Sequence, residues 1–242
     1  MSGSRLRTLS VLTVVVLVGG FALAAFVAPL DADQGFRQKI FYLHVPLAIV
    51  ALIAFIHGGW HAAQYLRKGD ALEDLKSYTA IHMGLILGVA ALATGMIWAK
   101  TSWGVWWEWG EKTLVSFLII FLLYCTYQPL RFSIEDPERQ ARYASVFGVA
   151  AGVFTPLCFL VVRLSPSTLI HPRTLDNADN LPGGMRWAFL VCIIGVALLY
   201  VTLWQFEMTH KHARAQVRAL RRKLGGDEAV RARTAAPELP LR

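Results

Sequence analysis

The sequence predicts an all-α polytopic membrane protein of six transmembrane helices, with an outer tryptophan-rich loop between the third and fourth. Three observations predict it. Of 242 residues, 55% are hydrophobic and only 17% charged, where an ordinary soluble domain carries about 25% charged residues. The apolar residues run in long blocks that a water-solvated surface would not tolerate, and mean hydropathy is +0.47. The Lys and Arg residues stand between those blocks, so the net charge of +8 reads as membrane topology rather than a nucleic-acid surface. Disordered, fibrous and disulfide-stapled chains are excluded by the same composition.

A hydrocarbon core of about 30 Å needs about 20 apolar residues of helix. The first run, Leu9–Leu30, follows Arg5 and Arg7. It is longer than the apolar region of a secretory signal, so it reads as a retained helix. The second is Ile40–Leu66, where Pro46 suits a first helical turn. Tyr78–Ala99 is the third. Leu114–Leu130, the fourth, is short but free of charge. Ala144–Val162 and Trp187–Phe206 complete the set. No alternating dyad pattern runs through these segments, so they are helices rather than barrel strands. The expected division is a six-helix unit over 1–207 and a basic tail over 208–242.

Seventeen Lys and Arg fall on the side of the two termini and seven on the other, which places both termini in the cytoplasm. Cys125, Cys158 and Cys192 each sit inside a span, with no CxxC spacing, and are assigned to packing. The tail HKHARAQVRALRRKLGG reads as a helical juxtamembrane segment held by anionic membrane lipid.

Five of the eight tryptophans fall within twelve residues, WAKTSWGVWWEW. An indole at headgroup level is ordinary, which covers Trp98, Trp60, Trp187 and Trp204. It does not cover Trp103, Trp106, Trp107 and Trp109 on one outer loop. Those four point to a platform for a large flat apolar ligand, or to a protein-docking patch. His44, in YLHVP, and His171, in STLIHPRT, lie on that same side, near the cations Arg163, Arg173 and Lys112. A lone loop histidine is ordinarily solvated or capping. Together these parts are what an iron porphyrin uses: imidazoles for the iron, indoles for the ring, and cations for the propionates. On the inner side, His57, His61 and His82 open a rival site for a metal or a b-type haem between spans. Three histidines, two on one helix, fall short of the usual four ligands, so they read as interfacial polar side chains.

At WGVWWEWGEK the sequence resembles the tryptophan-rich haem-handling proteins of cytochrome c biogenesis, and among them the CcmC family. APLDADQG, FYLHVPLA, TGMIWAKTSWGVWW and STLIHP carry the resemblance over most of the chain. It implies that His44 and His171 are the axial haem ligands. It also implies that Trp103, Gly104, Trp106, Trp107 and Trp109 form the haem-contacting loop, with Arg163, Arg173 and Lys112 as candidate propionate partners. The ligand implied is a transiently bound b-type haem. The partners implied are a CcmE-like haem chaperone and an ABC-type complex of CcmA, CcmB and CcmD type, in the bacterial inner membrane. There is one departure. The family motif continues with Asp and then a basic residue two positions on. Here Gly110 takes the place of the Asp, Glu111 follows, and Lys112 keeps the basic position. Which of Glu108 and Glu111 supplies the missing acid stays open.

No Walker motif is present, and no nucleophile or general base is evident. The chain therefore reads as a haem-binding and transfer protein rather than an enzyme, with ATP hydrolysis supplied in trans. A transport permease for haem or another small molecule is one alternative. It would need ionisable residues at mid-membrane, whereas the acidic residues lie near span ends or in loops. A b-type haem electron carrier using His57, His61 and His82 is the other.

Overall fold

A computed structural model describes residues 3–164, 170–172, 174–175 and 181–234, and six of its helices are long and apolar enough to cross a membrane. Helix α1 (Gly3–Ala22) closes in a π-helical turn, Leu23–Val27. A 3₁₀ turn, Phe36–Ile40, runs into α2 (Phe41–Lys68). Then come α3 (Ala71–Trp103), α4 (Lys112–Phe132), α5 (Pro137–Arg163) and α6 (Gly183–Thr234).

Four of the expected spans lie wholly inside these helices, and the second lies inside α2 but for Ile40, the last residue of the 3₁₀ turn. The first ends early, because Ala28 turns extended (ψ 130°) ahead of Pro29, a residue type that disfavours helix before it. Other helices begin earlier than the apolar runs do, and the reason is capping. The Asp70 carboxylate accepts the Leu72 N–H at 2.8 Å, so α3 starts at Ala71 rather than Tyr78. Asp136 does the same for Arg139 at 2.8 Å, with Pro137 in the first turn of α5. Pro46 does not sit in a first turn. The 3₁₀ turn before Phe41 extends the helical stretch backward and leaves Pro46 inside it.

Helix α2 is the hub. One side buries Leu47, Val50, Ala51 and Ala54 against Met83, Leu87 and Ala91 of α3 and Val196 and Tyr200 of α6. Further along, Phe55 stacks on Tyr124 of α4 with ring centroids 3.8 Å apart, beside Ile81, Ile120 and Ala151. Helix α1 lies on α6, where the Thr13 and Thr202 hydroxyls meet at 2.7 Å. Its other face carries Val11, Val15 and Val18, each about three-fifths exposed, a surface suited to lipid rather than water. All three cysteines lie in helices and are unbridged.

The two ends of the bundle differ. The tryptophan end gathers the starts of α2, α4 and α6 with the ends of α3 and α5. Two cations tie the α1–α2 connection down there. Lys39 Nζ donates to the Ala24 and Ala28 carbonyls, and Arg37 donates to the Thr101 carbonyl at 2.9 Å. At the opposite, tail end, Arg131 is buried and donates to both oxygens of Asp74 at 2.7 and 2.6 Å. Sequence reading counts Arg131 as one of the cations between spans. The structure makes it an internal ion pair between α3 and α4.

Candidate ligand site at the tryptophan end

The site begins with His44, the fourth residue of α2. Its Nδ1 lies 3.0 Å from the Ala91 carbonyl and 3.1 Å from Thr94 Oγ1. A carbonyl only accepts, so Nδ1 carries the hydrogen and Nε2 keeps its lone pair, the state that ligates a metal. Helix α3 supplies the seat. Thr94 donates back to the Ala90 carbonyl at 2.8 Å, a local bond that fixes its hydroxyl. At Gly95, a Cβ would come within 2.8 Å of His44 Cε1, so only glycine leaves the ring its space.

Gly104 then ends α3. It sits at φ +79°, and its N–H donates to the Lys100 carbonyl at 3.2 Å, the left-handed helix end that glycine adopts at least cost. Lys100 Nζ donates to the Gly104 carbonyl at 2.8 Å. Around this end, Trp98 and Trp103 meet edge to face, with centroids 5.0 Å apart and planes at 81°. Trp107 and Trp109 pair at 5.9 Å. The loop returns through two acids with different tasks. Glu108 braces the turn by accepting the Gly110 N–H at 3.0 Å.

Glu111 is 1% exposed. Its Oε1 accepts the Thr113 N–H at 3.0 Å and so caps α4. Its Oε2 accepts the N–H groups of Ile170 and His171 at 2.7 and 3.1 Å. Burial pushes this carboxyl up, but the backbone donors from Thr113, Ile170 and His171 outweigh it and hold the group below the ordinary carboxylate range. His171 is half-buried, with its ring 6.3 Å from that of Trp98.

These residues enclose a cavity of about 270 Å³, walled by His44, Trp98, Trp103, Trp107 and His171 and apolar further in, at Leu52 and Phe159. Ligand sites commonly hold about 300–1,000 Å³. A large flat ligand would therefore be gripped along part of its area and left exposed along the rest.

The chain matches the family model described as heme exporter protein C, CcmC, over residues 1–223. It belongs to the CcmC family. The heme exporter protein C of Rhodobacter capsulatus is 29% identical over 92% of this chain and 90% of its own length. That of Bradyrhizobium diazoefficiens is 32% identical over 88% and 80%, and that of Escherichia coli K12 is 29% identical over 83% and 80%.

Within this CcmC-family chain, the structure brings His44, His171, Trp103 and Trp107 to one cavity. Trp106 and Trp109 are 54% and 73% exposed and lie outside its wall. Gly104 is also outside; its place is the helix end. Trp98, which composition alone assigns to the interfacial belt, is in the wall. A signal was there: Ala91, Gly95 and Trp98 are spaced four and three apart, one face of a helix. Lys112 opens α4 with an exposed side chain. Arg173 and the side chain of Arg163 lie outside the described residues.

The tail-end histidines do not form a haem site. His57 Nε2 and His61 Nε2 are 2.9 Å apart, and opposite axial imidazoles at about 2 Å per metal–nitrogen bond need about 4 Å. Their other nitrogens are engaged, His57 Nδ1 with the Tyr200 hydroxyl at 2.6 Å and His61 Nδ1 with Glu73 at 2.6 Å. His82 pairs separately with Gln128 at 3.1 Å.

Proposed function

We propose that this chain binds haem as cargo at its tryptophan end and presents it to a CcmE-like haem chaperone during the maturation of c-type cytochromes. It would do so beside an ABC-type complex of CcmA, CcmB and CcmD type, which supplies ATP hydrolysis. The observation that carries this reading is the seat of His44: its Nδ1 lies 3.0 Å from the Ala91 carbonyl, so in the neutral imidazole Nε2 keeps its lone pair, on a residue that lines an indole-walled cavity. His171 is the second axial ligand. Trp98, Trp103 and Trp107 cover the ring and keep water from it.

A second observation supports a ligand with an acceptor. Trp107 Nε1 is buried and finds no hydrogen-bond partner among the described residues. An unmet buried donor costs about 1–3 kcal/mol, and a propionate oxygen would relieve that cost. Lys112, Arg163 and Arg173 are the cations for the remaining propionate charge. Bound haem supplies the iron that the imidazoles hold and a vinyl edge for the acceptor. The part-open cavity leaves that edge reachable, with the exposed Trp106 and Trp109 beside it. The haem is b-type and held transiently, and the chain performs no covalent step of its own. In this reading the chain sits in the bacterial inner membrane with both termini cytoplasmic. Residues 1–207 then act as the haem-handling unit and 208–242 as a basic cytoplasmic tail against anionic lipid.

The test is the absorption spectrum of the detergent-purified protein, oxidised and then dithionite-reduced, for the parent chain and for His44→Ala and His171→Ala. A Soret band that shifts or vanishes in both variants is expected. An unaltered band in both would remove the two histidines as ligands.

A further inference from the structure

Sequence reading leaves open which acid stands in where Gly110 interrupts the family motif. The geometry at Glu111 answers a larger question, because this side chain reaches two parts of the site at once. It is three residues after Glu108 in the tryptophan loop, yet its carboxylate meets backbone about sixty positions later in the chain.

An N-cap alone does not explain it. The cap needs one acceptor oxygen, and Oε1 provides it to Thr113. Oε2 is turned the other way, into the 170–171 segment, where two successive backbone N–H groups donate to it. Burying a carboxylate to 1% exposure is costly unless several donors face it. Here three do, and two of them belong to the segment that bears His171. The His171 Nδ1 lies 3.1 Å from the Pro172 carbonyl, within the same segment.

We propose that Glu111 is the positioning residue for His171: a buried carboxylate that fixes the backbone of Ile170 and His171 against the N-terminus of α4, so that the tryptophan loop and the second histidine are set in one register. This rests on the reading of His171 as a haem ligand. Glu111 touches neither haem nor iron. It acts through the two amides, and it binds the end of the loop that carries Trp107 to the segment that carries His171.

Two measurements on the full-length protein in detergent test this. The first needs no haem: amide hydrogen exchange of Ile170 and His171 in the parent, Glu111→Ala and the near-isosteric Glu111→Gln. Losing hydrogen bonds to a charged acceptor should accelerate exchange there by about tenfold or more. Unchanged exchange in both variants overturns the clamp.

The second is the haem spectrum, with His171→Ala alongside. Both Glu111 variants should convert six-coordinate low-spin haem to the five-coordinate high-spin form that His171→Ala gives. Added imidazole should restore the low-spin spectrum in all three, because the His44 side of the site is intact. A merely destabilised fold would not be rescued by imidazole. Accelerated exchange with a parental spectrum in Glu111→Ala, while His171→Ala turns high-spin, overturns the positioning role. Accelerated exchange with a parental spectrum in His171→Ala itself upholds the clamp and instead refutes His171 as ligand.

Discussion

Gly95→Ala is the smallest change that tests the His44 seat. The new Cβ would stand 2.8 Å from His44 Cε1, where carbon atoms prefer about 3.5–4.0 Å. Either the ring retreats by about 1 Å or α2 and α3 part by as much. A retreat stretches the Nδ1 bonds to the Ala91 carbonyl and Thr94, now 3.0 and 3.1 Å, beyond hydrogen-bond range. Helix propensity favours alanine by about 0.5–1 kcal/mol, and overpacking costs about 1–3 kcal/mol. The fold should therefore lose only about 1 kcal/mol. Ligand geometry tolerates only about 0.5 Å of error, so haem affinity should fall at least tenfold, which is about 1.4 kcal/mol. The assay is a haem titration of purified protein followed at the Soret band, with a thermal melt on the same samples. Gly19→Ala in α1, where a Cβ meets nothing within 4 Å, is the control and should bind as the parent does. Parental affinity and spectrum in Gly95→Ala, with an unshifted melt, would refute the seat.

Removing one partner of the buried Asp74–Arg131 pair strands a charge, so Arg131→Ala should cost about 3–5 kcal/mol in a detergent melt. Replacing both with apolar residues should recover much of that. Gly104→Val forces a branched residue into the left-handed region at φ +79°. It should cost about 1–2 kcal/mol and shift tryptophan emission as Trp103 moves. A double-mutant cycle of Thr13→Val and Thr202→Val should give a coupling of about 0.6 kcal/mol, typical of hydrogen bonds between membrane helices; a coupling near zero would deny that the 2.7 Å contact holds α1 to α6.

The six helices were legible because a membrane span is a local property: length and apolarity suffice, and neither needs knowledge of neighbours. Their true starts at Ala71 and Pro137 were written in Asp70 and Asp136, caps that hydropathy does not see. The candidate site was legible only where residue type and expected side of the membrane agreed, as at His44, His171, Trp103 and Trp107, which line one cavity. What was not legible depends on contacts distant in sequence. Arg131 reads as a surface cation because Asp74 is 57 positions away. Glu111 reads as a loop acid because its amides are 59 and 60 positions on. Trp106 and Trp109 differ from Trp107 in exposure through the course of an irregular loop, which no periodicity encodes.

The tail-end histidines carry a consequence of their own. Lys76 Nζ lies 2.6 Å from Glu73 and keeps that carboxylate an acceptor, so His61 Nδ1–H must donate to it. With both imidazoles neutral, His61 Nε2 can then only accept, His57 Nε2–H must donate to it, and the Tyr200 hydroxyl must donate to His57 Nδ1. The two rings, one helical turn apart on α2, are obliged to hold opposite tautomers. Three helices thus share one directed chain of hydrogen bonds, running from the Tyr200 hydroxyl of α6 through both rings of α2 to Glu73 of α3.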